Sequence, residues 1–324
     1  MSACGALLAG QWATRETPSS HTAAPRPLVF TGEHIHLGYY TKEVRALGKS
    51  AVSADLSLTY RSPRLSCQEQ AAGYKKKDFK QSKYDFVDKM LEFAGAPAAP
   101  AKVLDVGCGI GGSTRYLARK FGPSTSMTGI TLSPNQVARA TQLAADGGLG
   151  NCEFRVMDAL AMQFPDNTFD LVWACESGEH MPDKKRYVEE MTRVLKPGGK
   201  LVIATWCQRE TTAETPFTEQ ENDELRFLYE EWSHPYFISI EEYERLLKGT
   251  GVMETVHSED WAPFTIPAWR HSIWVGVWDP WPVVARPRVW YKTLRDAWCL
   301  ERMHRAFDKG LMKYGMLTAK KAVV

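Results

Sequence analysis

The sequence predicts an α/β protein whose mostly parallel, seven-stranded sheet carries helices on both faces. Three observations lead there. Between residues 102 and 206, strand-like and helix-like segments alternate, with connections long enough to be helical crossovers. The first of these strands runs into a glycine-rich turn that opens a helix, VLDVGCGIGGSTRYLA at Val103–Ala118. At 324 residues, 44% hydrophobic and 24% charged, the chain is long enough to bury such a sheet and to carry a cap beside it.

The elements follow in order. Lys75–Phe93 is amphipathic, with Phe86, Met90 and Phe93 at helical spacing beneath a basic start, and GAPAAPA at Gly95–Ala101 is a linker. Lys102–Val106 is a short buried strand and Gly112–Phe121 a helix. Thr125–Thr131 is a strand, and Pro134–Ala145 a helix with proline at its first position. Glu153–Met157 is the third strand, and Phe169–Ala174 the fourth, entered through the PDNT turn at Pro165–Thr168. Lys184–Leu195 is a helix stopped by Pro197-Gly198-Gly199, and Lys200–Trp206 is a strand. Beyond Cys207, Phe217–Glu231 and Ile240–Lys248 read as helices, and Val252–Ser258 and Tyr314–Lys320 as the last two strands. Residues 261–310 are rich in Trp, Pro and Arg and read as a cap.

A net charge of +2 gives no electrostatic case for a nucleic-acid partner. Seven cysteines without a CxxC pair point to a reducing compartment and away from a structural zinc or a disulfide framework. No apolar run reaches the roughly 18 residues of a membrane span. Eight of the 11 tryptophans lie from Trp232 onward, which predicts an aromatic pocket or an interfacial surface late in the chain.

The glycine turn narrows the chemistry. Asp105 ends the first strand, and Gly107, Gly109, Gly111 and Gly112 follow it. A dinucleotide pyrophosphate would be repelled by an acid there, whereas the ammonium of S-adenosylmethionine would be attracted. The end of the second strand, where dinucleotide enzymes keep a ribose-binding acid, is Thr131. Thr131 and Gln136 can bind ribose hydroxyls by neutral hydrogen bonds. Asp158, followed by Ala159, stands after the third strand, where it accepts from an adenine amine or caps a helix. The expected cofactor set is therefore Asp105, Gly107, Gly109, Gly112, Thr131, Gln136, Asp158 and Ala159, with S-adenosylmethionine as the cofactor.

These segments carry a closer resemblance. The glycine turn, GITLSPNQ (Gly129–Gln136), FPDNTFDLVWACESGEHMPDK (Phe164–Lys184) and RVLKPGGKLVIATWCQR (Arg193–Arg209) resemble the tocopherol- and plastoquinone-pathway methyltransferases of plastids and cyanobacteria. The resemblance extends to GEHIHLGYY (Gly32–Tyr40), AAGYKKKDF (Ala71–Phe79), EEWSHPYFISIEEYERLL (Glu230–Leu247), PAWRHSIW (Pro267–Trp274) and AFDKGLMKYGML (Ala306–Leu317), and covers most of residues 30–321. GITLS with Gln136 also resembles cyclopropane-fatty-acid synthases. The family implies a Rossmann-like class I methyltransferase fold with a helical, Trp-rich cap. It also implies methylation of a ring carbon on a prenylated quinol or tocopherol.

Such a ring becomes nucleophilic when its hydroxyl loses a proton, so a carboxylate or imidazole beside it would help. Glu176, Glu179 and His180 follow the fourth strand at the carboxyl edge of the sheet and are the catalytic candidates; capping or surface pairing is the alternative for each. His34 and His36, with Trp173, Trp206, Trp269 and Trp274, are expected in the substrate pocket. No further ligands accompany the HxH pair at metal-binding spacing, so no metal is expected. Trp261, Trp269, Trp274, Trp278 and Trp281, interleaved with Arg270, Arg286, Arg288 and Arg295, suit either ordinary core or a membrane-facing rim around a prenyl tail.

The expected organisation has a leader or transit segment at 1–29, a helical cap at 30–96 and a methyltransferase domain at 97–324. That domain carries cap elements at 207–250 and 261–313. Residues 44–69 interrupt the family pattern and read as a solvent-exposed insertion, with a working lid as the alternative. The leader implies a plastid protein peripheral to the membrane, or a cytoplasmic one if it carries no targeting signal. The competing functions are N-methylation of a small amine or alkaloid, and cofactor binding without turnover.

Overall fold

Residues 37–40, 78–232, 234–278 and 290–323 are described by the structure, a computed structural model. The expected leader at 1–29, the segment 44–69, His34 and His36 lie outside the described residues.

The apolar runs read above form a single sheet. Its strands are β1 (Lys102–Val106), β2 (Ser126–Thr131), β3 (Cys152–Val156), β4 (Phe169–Cys175), β5 (Leu195–Gln208), β6 (Met253–Asp260) and β7 (Met312–Lys321), in the order β3-β2-β1-β4-β5-β7-β6. All neighbouring pairs are parallel except those of β7, which runs antiparallel to both β5 and β6. β5 is longer than Lys200–Trp206 because the breaker at Pro197–Gly199 lies within it instead of before it.

The helices are α1 (Phe79–Ala94), α2 (Gly112–Phe121), α3 (Pro134–Asp146), α4 (Lys184–Val194), α5 (Glu219–Trp232), α6 (Ile240–Gly249), α7 (Ala262–Trp278) and α8 (Trp290–Asp308). Their starts follow from side chains that satisfy orphan amides: Asp78 caps α1, Ser133 caps α3, Asp183 caps α4 and Ser239 caps α6.

Apolar side chains fill both faces of the sheet. On one face Leu104, Val172 and Ile203 pack with Tyr187, Met191 and Tyr243 of α4 and α6. On the other, Val103, Leu171 and Val202 pack beneath α1, α5, α7 and α8, and this layer holds Trp173, Trp206, Trp232, Trp261 and Trp269.

The rim reading of the late tryptophans fails for two of them. Trp261 and Trp269 are core residues, because α7 lies directly against the sheet and against α8. The rim arginines that can be placed are also engaged. Arg270 pairs with Glu301 at 2.8 Å and Arg295 with Glu231, tying α7 to α8 and α8 to α5. The side chains of Trp274, Trp278, Trp281, Arg286 and Arg288 lie outside the described residues.

Leu37–Tyr40 is clamped between α1 and α7. Tyr39 N–H donates to the Ser82 carbonyl at 2.9 Å and Tyr40 N–H to the Phe264 carbonyl at 2.8 Å. The Tyr40 hydroxyl meets His271 Nδ1 at 2.7 Å, and Tyr39 stacks on Phe264.

Candidate active site

The sheet's strand order reverses between β1 and β4, and a ligand crevice forms at such a switch point, outside the carboxyl ends of the strands. One cleft opens there. It is lined by Gly107 and Gly109 after β1, Ile130 to Ser133 and Gln136 after β2, Met157 to Ala159 after β3, and Glu176, Ser177, His180 and Met181 after β4.

The glycine turn is shaped by contacts that leave no room for side chains. Gly107 has φ +80°, and a Cβ there would stand 2.3 Å from the Ser177 Cβ; Gly111 has φ +74°, and its Cβ would stand 2.5 Å from the Phe154 ring. The Gly107 and Cys108 amides both donate to the Ile130 carbonyl, at 3.0 and 2.9 Å, which folds the turn over β2.

The expected cofactor residues divide. Gly107, Gly109, Thr131, Gln136, Asp158 and Ala159 share the cleft wall. The Thr131 hydroxyl donates to Gln136 Oε1 at 2.6 Å, which leaves the Gln136 amide NH₂ as a donor. Asp158 is exposed and accepts the Leu160 amide at 2.9 Å through one oxygen, so it caps a turn with one oxygen while the other stays free.

Asp105 and Gly112 do not line the cleft. Asp105 is only 2% exposed, and its carboxylate turns away under the loop to accept the Thr114 hydroxyl at 2.6 Å. Burial pushes its pKa up to about 7, against the opposing pull of Thr114. Gly112 is buried as the first residue of α2.

The catalytic candidates divide as well. Glu176 and His180 reach the cleft; Glu179 does not. Glu176 is a non-glycine residue at φ +52°, a conformation that a neighbouring structure must enforce. Its Oε1 accepts the Leu37 amide at 2.9 Å and the Tyr314 hydroxyl at 2.7 Å. Burial raises its pKa, opposed by these two donors and by the charge of Lys83, whose own pKa burial lowers to about 8.

Glu179 points behind the cleft, where the Thr205 hydroxyl donates to it at 2.8 Å, and burial raises its pKa to about 8. The adjacent Lys184 ammonium donates to the carbonyls of Gly178, Glu179 and Met181 at 2.8, 3.1 and 2.6 Å, pinning the short 3₁₀ turn Gly178–His180. His180 is held neutral at pH 7, because burial lowers its pKa to about 4.

Trp173, Trp206 and Trp269 are buried in the layer under the cap and not on the cleft wall. Among the described residues, no three His, Cys, Asp or Glu side chains gather as metal ligands.

Sequence reading missed part of the wall. Ile130, Leu132, Ser133, Met157, Ser177 and Met181 adjoin named residues and were findable as the carboxyl ends of strands. Lys83 and Tyr314 had no local signal, since only the fold brings them to Glu176.

A methyltransferase-domain family model matches residues 104–203. The 2-methyl-6-phytyl-1,4-hydroquinone methyltransferase of Synechocystis sp. is 40% identical over 90% of this chain and 81% of its own length. The chain belongs to that methyltransferase family. The chloroplastic tocopherol O-methyltransferase of Arabidopsis thaliana is 35% identical over 90% of this chain and 77% of its own. Ajmaline N-methyltransferase of Rauvolfia serpentina is 32% identical over 73% of this chain and 82% of its own.

Among solved structures, the cyclase SpnF superposes with a TM-score of 0.63 at 24% identity, covering 90% of this chain and 88% of its own. A geranyl diphosphate methyltransferase superposes with a TM-score of 0.62 at 21% identity, covering 89% of each chain. Both share the fold. As a member of its family, the chain is an S-adenosylmethionine-dependent methyltransferase with the class I fold.

Proposed function

We propose that this methyltransferase alkylates a ring carbon of a prenylated quinol or tocopherol, with S-adenosylmethionine bound in the cleft. The observation that carries the substrate is the 40% identity to the hydroquinone enzyme along 90% of the chain, against 32% over 73% for the alkaloid enzyme.

The cleft's chemistry fits the cofactor. Among the described residues its wall contains the carboxylates of Asp158 and Glu176 but no Arg or Lys, which suits a cationic ligand and not a pyrophosphate. Thr131 and Gln136 would hold the ribose hydroxyls, Asp158 the adenine amine, and Ile130, Leu132 and Met157 the adenine faces. Buried Asp105 would act through the loop and through its field, not by direct contact.

The bound cofactor supplies an electrophilic methyl group on a sulfonium. The protein's part is to place the ring carbon in line with it and to withdraw the hydroxyl proton. Glu176 is the carboxylate at that edge of the cleft, and neutral His180 beside it is a second acceptor. Glu179 is a structural acid in this reading, and the N-terminal segment covers the site through Leu37.

The plant relatives are chloroplastic, and the same location is proposed here. Among the described residues no helix is long and apolar enough to cross a membrane. Leu294 and Trp298, one turn apart on α8, are 73% and 53% exposed and would give a shallow contact with the bilayer that holds such substrates.

The test is incubation with labelled S-adenosylmethionine and a panel of prenyl quinols, tocopherols and small amines. Label in an extractable ring-methylated quinol supports the reading, and label transferred only to amines overturns it.

A further inference from the structure

Beside the cleft lies a cluster of buried polar atoms without partners. His234 follows α5, and its ring is 7% exposed. It packs against His180 at 4.3 Å between ring centroids, Trp206 at 5.4 Å and Phe237 at 5.5 Å, with Trp232 parallel to it at 6.5 Å. Among the described residues neither ring nitrogen of His234 has a hydrogen-bond partner, and the indole N–H groups of Trp206, Trp232 and Trp269 have none either. Buried polar groups are nearly always paired, so a knot of several unpaired ones beside a binding cleft calls for a ligand that completes them.

The chemistry of that ligand follows from what lines the knot. Burial, reinforced by the neighbouring His180 and Lys184, holds His234 well below its usual pKa, so it is a neutral imidazole with one N–H and one lone pair. The knot offers several N–H donors against a single imidazole lone pair, so it holds little for a cation, and the neighbouring Lys184, which could answer a carboxylate, already donates to three backbone carbonyls. An uncharged oxygen on an aromatic ring suits both the nitrogens and the aromatic walls. Trp206 also helps to offset the burial of the Glu176 carboxylate.

We propose that His234 binds the second oxygen of the substrate ring, the one para to the hydroxyl that faces Glu176. This rests on the quinol reading above. The imidazole can accept from a free hydroxyl or donate to a ring ether, so the site requires an oxygen there without requiring its proton. His234 sets substrate choice by contact, while Glu176 serves the reacting edge.

The experiment compares wild type with His234→Phe and His234→Asn, using 2-methyl-6-phytyl-1,4-hydroquinone and its analogue lacking the para oxygen. Calorimetry with S-adenosylhomocysteine and thermal melting accompany the kinetics. Wild type should prefer the hydroquinone. His234→Phe should lower kcat/KM for the hydroquinone on the order of 10²-fold, and leave the deoxy analogue nearly unchanged, so the preference collapses. The variant should also melt no lower than wild type, because two unpaired buried nitrogens are gone. His234→Asn should recover part of the preference. A His234→Phe enzyme that keeps the preference overturns the proposal, as does one that loses melting temperature and both activities together. A wild type that methylates neither compound overturns the quinol reading itself, and this proposal with it.

Discussion

Leu37 donates its backbone N–H to Oε1 of Glu176 at 2.9 Å, so the segment before α1 is fastened directly to the wall of the cleft at the strand ends. The same oxygen takes the Tyr314 hydroxyl from β7. One carboxylate thus joins the N-terminal cover, the C-terminal strand and the cleft.

Glu176→Gln keeps an acceptor for both donors but removes the charge opposite Lys83. It should retain S-adenosylhomocysteine affinity within a few-fold and lose turnover by roughly 10²–10⁴-fold, the usual scale for a general base. Glu179→Gln should keep turnover near wild type. Steady-state kinetics on the two variants checks the division, and equal losses would return Glu179 to the reaction.

Gly107→Val should abolish cofactor binding. Its φ of +80° is hostile to a β-branched residue, and a Cβ would sit 2.3 Å from the Ser177 side chain. Isothermal titration with S-adenosylhomocysteine reads the loss, and circular dichroism should show the sheet intact. Wild-type affinity in this variant would move the cofactor elsewhere.

The cofactor-free protein should lose thermal stability as pH rises from 6 to 8. Asp105 and Glu179 have folded pKa values of about 7 and about 8, above the ordinary 3.8 and 4.5. The folded state therefore holds protons that the unfolded state has released, and that advantage disappears as pH passes through the folded values. Asp105→Asn should flatten the slope below pH 7. A cofactor ammonium would favour ionised Asp105, so binding should tighten over the same range and release protons. Calorimetry in two buffers of different ionisation heat measures that release.

Leu294→Glu combined with Trp298→Glu should abolish flotation with anionic liposomes while leaving turnover on detergent-dispersed quinol intact. Undiminished flotation would place the lipid contact on another surface.

Much of the architecture was legible because it rests on local pattern. The β1–glycine–α2 unit, the Ser133 and Asp183 caps and the alternation through β5 are written in neighbouring residues. The turn-lining residues Gly107, Thr131, Gln136 and Asp158 were legible for the same reason, as strand ends. Asp105 was misplaced because spacing gives its position on β1 but not that Thr114, nine residues on, would draw its carboxylate inward. Trp261 and Trp269 were ambiguous because α7 is apolar all round, so composition could not separate a helix packed in a core from one at an interface. His234 passed unnoticed within a helix-ending motif, since its meaning depends on neighbours from β5 and the turn after β4.

The strand order has a further consequence for how the chain is made. β7 fills the slot between β5 and β6, yet a ribosome delivers it after both, and after α7 and α8. Until residues 312–321 emerge, the edges of β5 and β6 stand bare, and open edges invite pairing with other chains. The nascent protein would therefore depend on chaperone cover for longest toward the β6 end of its sheet. A premature stop within α8 should yield an aggregating product and not a smaller enzyme.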